Sequence, residues 1–211
     1  MPDPNPWKTI WLKPRYTIRW LLDNDPERHV LLLGGAAGIA GSIDRAIVQG
    51  TGDHLSWPGI VMISVFIGPI FGILGLLIGS WLLRVTGGWL GGTAKTREVV
   101  TAYAWSGVPT IVSTLLVIPA VAVLGQELFN SQMPSVQAGG TAMLTWYAFL
   151  AGDILLMLWG MAVFLLALSE VQGFSVGKAF WSAFLAVLIV MLPFFVLGWY
   201  VAASLGPQMG L

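Results

Sequence analysis

The sequence predicts an all-α polytopic membrane protein, with five transmembrane helices preceded by a short amphipathic helix in the membrane interface. Three observations predict it. Charged residues make up 9% of the chain and hydrophobic ones 56%, whereas a soluble domain carries about 25% charged residues to solvate its surface. Five apolar runs are long enough to cross a bilayer, which takes about 20 residues each. Lys and Arg gather in alternate gaps between those runs. The expected organisation is a cytoplasmic amphipathic segment over residues 1–25 and a membrane domain over 26–211, with spans near 26–48, 58–83, 98–124, 144–169 and 177–205.

The first element is Asn5 to Asp23, NPWKTIWLKPRYTIRWLLD. Pro14 suits the first turn of a helix. Ile18, Leu21 and Leu22 then share one face, and Arg15 and Arg19 stack four apart on another. A basic amphipathic segment with Trp7 and Trp11 is expected to lie along the membrane surface. Lys8, Lys13, Arg15 and Arg19 are expected to set topology and touch anionic headgroups, at about 1 kcal/mol each. Next, Asp25 can cap a helix that Pro26 opens, so the first span is expected to begin there.

Gly34, Gly38 and Gly41 line one face of the first span, whose far end holds Asp44 and Arg45. Gly68, Gly72, Gly75 and Gly79 repeat at the same spacing in the second. Lipid gives helices no hydrophobic reason to associate, so small residues that let backbones approach hold them together. The two stripes are expected to face each other, or one to face another subunit. Pro69 is expected to kink the second span.

Arg84 to Pro109, RVTGGWLGGTAKTREVVTAYAWSGVP, is the long charged interruption between spans two and three. Gly87, Gly88, Gly91 and Gly92 predict a sharp, close-packed turn there. The third span carries Ser106, Thr110 and Ser113 on one face, with Pro109 and Pro119 as kink sites. Gly125 to Thr141 reads as a polar loop. The fourth span contains Asp153. Gly173, Ser175 and Lys178 form a short turn into the fifth span, with Ser175 as its cap.

Lys8, Lys13, Arg15, Arg19, Arg28, Arg84, Lys95, Arg97 and Lys178 all fall on one side of a five-span chain, and Arg45 alone falls near the other. Positive charge marks the cytoplasmic side, so the N-terminus is expected inside and the C-terminus outside. Trp57, Trp146, Trp199 at one set of span ends and Trp81, Trp105, Trp181 at the other fit this arrangement.

Four features together resemble the Yip domain family (Ypt-interacting proteins), and specifically its short bacterial and archaeal branch. They are NPWKTIWLKPRYTIRWLLD, GGWLGGTAKTREVVTAYAWSGVP, ALSEVQGFSVGKAF and the five-span order. The resemblance implies a five-span protein with a cytosolic N-terminus. The family's eukaryotic members associate with Rab-type GTPases through a long cytosolic N-terminal region. Here only about 25 residues precede the first span, so GTPase binding is not inferred.

The expected function is a non-enzymatic membrane scaffold or adaptor, with a small-solute or ion transporter as the alternative. The partners expected are membrane lipids, a second copy or another membrane protein. No basic tract could track nucleic acid. No cofactor or metal is expected: Cys is absent, and His29 and His54 are predicted at opposite membrane faces. Asp153 is the acid predicted deepest in a span. Counting from Leu144 at about 1.5 Å per residue puts it roughly 13 Å inside, where an unpaired carboxylate costs about 2.5–3.5 kcal/mol. It is expected to bond to Thr110, Ser113 or Thr114, or to Arg45.

Overall fold

The computed structural model describes residues 5–209. Asn5 accepts from the Trp7 amide and caps α1 (Pro6–Thr9), and Pro14 opens α2 (Pro14–Asn24). α3 (Val30–Val48) and α4 (Trp57–Trp89) form an antiparallel pair. The third crossing is broken into α5 (Thr96–Ser106), α6 (Val108–Ser113), a 3-10 turn (Thr114–Leu116) and α7 (Val117–Leu124). A second 3-10 turn (Gly125–Phe129) and α8 (Pro134–Gln137) lead to α9 (Gly140–Gln172) and α10 (Val176–Met209). Five of these helical segments are long and apolar enough to cross a membrane. The protein is an all-α polytopic membrane protein, and no strand occurs among the described residues.

The α3–α4 contact is the closest in the bundle. A Cβ added to Gly38 would sit 2.7 Å from the Gly72 Cα and overlap the Gly68 carbonyl. One added to Gly72 would overlap the Gly34 carbonyl. The stripes meet over Gly34, Gly38, Gly68 and Gly72 and part at their ends. Gly41 and Gly75 face open space, against the expectation that the whole stripe is contact, and Gly79 abuts the Tyr103 ring. Ser42 and Ser64 add a hydroxyl pair at 3.0 Å on the same seam.

Proline explains the broken third crossing. Pro109 has no amide hydrogen, and the helix restarts around Gly107, whose carbonyl accepts from Ile111 at 2.9 Å. The 3-10 turn Thr114–Leu116 lies just ahead of Pro119, where the ring would crowd the preceding turn. Pro69 does not interrupt α4, which runs 33 residues as one helix.

Three expected boundaries shift. α3 begins at Val30 rather than Pro26, because the Pro26 carbonyl accepts from Thr101 Oγ1 (2.6 Å) and the Arg28 carbonyl from Trp105 Nε1 (3.0 Å). Those carbonyls serve α5 instead of a helical ladder, and Asp25 ends α2 rather than capping α3. α4 runs past residue 83 through Arg84, Gly87 and Gly88, so the turn is Leu90 to Lys95, with Gly91 at φ +88°. The segment after Gly125 is not a free loop. It docks on the α3–α4 turn, with Leu128 and Phe129 fully buried.

That docking is polar as well as apolar. Gln126 Nε2 donates to the Gly52 and Leu55 carbonyls, and its Oε1 accepts from the Trp57 amide at 2.7 Å. Asp53 accepts from the Ser131 hydroxyl (2.5 Å) and amide (3.1 Å). These bonds hold the Asp53 carboxyl below its ordinary value of 3.8.

Two outcomes follow from this packing. Gly72→Leu should destabilise the protein by at least about 1–3 kcal/mol, because a large side chain must push two backbones apart. Gly75→Leu should leave the melting temperature in detergent unchanged. For Asp53, a lowered folded-state value means the loop contact is complete above pH 3.8 and weakens as pH falls below it. Ser131→Ala should move the Asp53 titration midpoint, read by NMR, back up toward 3.8.

Candidate functional site

The ends of α4, α5, α9 and α10 and the N-terminal segment meet at one face, which also gathers nine of the ten Lys and Arg. At its centre is Gln172, 1% exposed. Its Nε2 donates to the Leu83 carbonyl at 3.1 Å, and its Oε1 accepts from the Ala94 amide at 3.4 Å. Its backbone carbonyl accepts from Thr93 at 3.3 Å. A Cβ on Gly87 or on Gly92 would overlap the Gln172 side chain. These two glycines therefore make room for an amide that ties the α4–α5 turn to the α9–α10 turn. Gly88 faces open space and has no such role.

The α9–α10 turn is fixed the same way. Gly173 ends α9 in the left-handed region at φ +69°, a conformation glycine adopts without penalty. Ser175 Oγ accepts from the Lys178 amide at 3.4 Å, and Lys178 Nζ donates to the Leu90 carbonyl at 2.9 Å. Below them Thr86 and Ser182 share a hydroxyl bond at 3.0 Å.

The N-terminal segment seats on this face against protein, which changes the expected interfacial picture. Ile10, Ile18 and Leu21 are fully buried, and α2 packs on α5 and α9. Arg15 donates to Ser169 Oγ at 3.2 Å, and Arg19 pairs with Glu170 at 2.5 Å. Those two arginines hold α9 rather than headgroups alone. Trp7 packs edge-on to Trp105, with ring centres 5.1 Å apart, and lies 5.8 Å from His29. The Trp11 carbonyl accepts from Trp159 Nε1 at 3.1 Å. Trp159 thus ties α9 to the N-terminal segment. Lys8 and Lys13 remain exposed.

The membrane-embedded polar residues divide differently from expectation. Ser113 Oγ donates to the Thr110 carbonyl at 2.9 Å, and Thr114 Oγ1 to the same carbonyl at 3.5 Å. Hydroxyls that bond back into their own helix have no proton left for a neighbour. Among the described residues Asp153 makes no bond to them or to Arg45. Asp44, on α3, is a second acid within a membrane-crossing helix. Asp44 and Asp153 are both half-buried, while Thr110 and Arg45 are exposed. The cavity between α4, α5, α6, α9 and α10, about 630 Å³, is walled almost wholly by apolar side chains.

The Yip1 domain model matches residues 8–198. The chain belongs to the Yip1 domain family. No curated protein and no solved structure matches it. The matched region of this Yip1 domain covers all five membrane-crossing segments and the greater part of the N-terminal segment.

Sequence reasoning found the two glycine turns but missed what joins them. Gln172, Thr86 and Ser182 are single polar residues at span ends, and nothing in their spacing marks them as partners. A Gln beside Gly173 and paired Gly87/Gly92 would be a usable signal once the turns were known to touch. Gln172→Leu keeps the volume but strands the buried Ala94 amide, while the Leu83 carbonyl keeps the Ser182 hydroxyl. It should cost about 1–3 kcal/mol in thermal unfolding.

Proposed function

We propose that this Yip1-family protein is a non-enzymatic scaffold of the prokaryotic cytoplasmic membrane, belonging to the family's bacterial and archaeal branch. Its basic face is the side that meets partners. The observation that carries this reading is the plate itself. The ends of four helices and the N-terminal segment are joined by side-chain bonds to backbone carbonyls, leaving Lys8, Lys13, Arg84 and Lys95 exposed on a rigid support. A fixed array of cations suits a second membrane protein or a second copy with an acidic surface, and anionic headgroups around it. The apolar walls of the 630 Å³ cavity support a scaffold over a transporter.

The positive charge of this face supports an N-terminus inside and a C-terminus outside. Reporter fusions at Pro2 and Leu211 should give opposite signals, and equal signals would defeat this topology. Photo-crosslinkers at Lys13 and Lys95 should capture one recurring membrane partner or a second copy. Crosslinking to lipid only, from both positions, would defeat the scaffold reading.

The two half-buried acids on membrane-crossing helices, Asp44 on α3 and Asp153 on α9, favour a second reading, cation transport. Cation flux in proteoliposomes that Asp153→Asn abolishes would establish it over the scaffold. No flux above that of empty vesicles would reject it.

A further inference from the structure

A second groove runs along the α3–α4 seam, about 440 Å³, and one side of it is walled by α5 and α6. Its floor is made by Gly38, Gly41, Gly68, Gly72 and Gly75. The two glycines that fail to touch the opposite helix are the ones that open it, since a Cβ on Gly41 or Gly75 meets nothing within 4 Å. Phe71 stands at its rim, 67% exposed, so the groove faces the bilayer sideways. From Leu33 to Arg45 it follows α3 for about 18 Å, close to the roughly 15 Å of one leaflet's hydrocarbon.

Arg45 lies at one end of this groove. It is three residues from the end of α3, the level where a headgroup sits. It is the lone Lys or Arg in that half of the bundle. It has no carboxylate within ion-pair distance among the described residues, the ion pairs there being Arg19–Glu170 and Arg97–Glu27. Asp44, one position earlier, is not part of the lining. A cation over a long apolar slot is complementary to one kind of molecule, an anion joined to a hydrocarbon chain. The larger cavity by α10 has no charged residue in its lining and selects nothing.

We infer that the α3–α4 groove is a binding site for one anionic phospholipid of the leaflet opposite the basic face. Its phosphate pairs with Arg45, and an acyl chain lies along Gly41 and Gly75. This inference is independent of the scaffold reading, because it concerns the other face of the protein.

Native mass spectrometry of the full-length protein in neutral detergent tests it, with phosphatidylglycerol and phosphatidylcholine as probes. Wild type should retain one more phosphatidylglycerol than Arg45→Gln, with at least a tenfold preference over phosphatidylcholine at that site. Arg84→Gln, on the basic face, should keep that lipid. Gly75→Leu should lose it while its melting temperature stays unchanged, and Gly41→Leu fills the same slot from the other helix. Glycerol phosphate, the headgroup without its chains, should not compete. Unchanged lipid retention in Arg45→Gln would overturn the proposal. Retention in both glycine variants would overturn the groove as the chain site, and displacement by glycerol phosphate would mean a soluble anion is the ligand.

Discussion

The contact of α3 and α4 through bare backbone is the constraint on which the rest depends. Between helices in lipid, water supplies no driving force, so association needs dense packing and hydrogen bonds. At Gly38 and Gly72 the two chains come so close that no side chain of any size fits. That approach fixes the crossing of the first hairpin, and the hairpin supplies the wall on which α5 and α6 lie. It also sets where the seam must open, since straight helices that touch tightly at one place diverge on either side. The glycines at the divergence become the floor of a slot rather than a contact.

The basic face obeys a different rule. There the helices end, and each end leaves carbonyls and amides without helical partners. Lys178 and Gln172 take up the Leu90 carbonyl and the Ala94 amide beside these ends, and Thr101 and Trp105 take up the Pro26 and Arg28 carbonyls in the link between α2 and α3. The chain thus uses its unsatisfied helix ends as attachment points. The plate is stiff because most of its bonds join segments far apart in sequence. The opposite face does something similar with Gln126 and Asp53, which tie the segment after α7 to the α3–α4 turn.

Much of this was legible in the sequence, for identifiable reasons. Span number and the grouping of Lys and Arg follow from composition, because the bilayer imposes length and charge rules with few exceptions. The break at Pro109 was legible because proline removes a donor wherever it stands. Boundaries were less legible. Pro26 looked like a helix start, yet Thr101 and Trp105, some 75 positions away, claim the neighbouring carbonyls. Polar partners were the least legible. Asp153 had plausible hydroxyls at its depth, but Ser113 and Thr114 turn back on their own helix. Depth can be counted along a sequence, whereas the direction in which a side chain faces depends on packing.

The seat of the N-terminal segment bears on how the protein is made. Trp11 bonds to Trp159 across 148 positions, and Arg15 to Ser169 across 154. A ribosome releases roughly 5–20 residues each second, so the opening helix exists for several seconds before its landing surface on α9 has been translated. During that interval the apolar side of Ile10, Ile18 and Leu21 has lipid and, once it is made, α5 to cover it. Closure of the bundle therefore runs from the fourth span back to α1 and α2, which reach their full set of contacts only after α9 has been made.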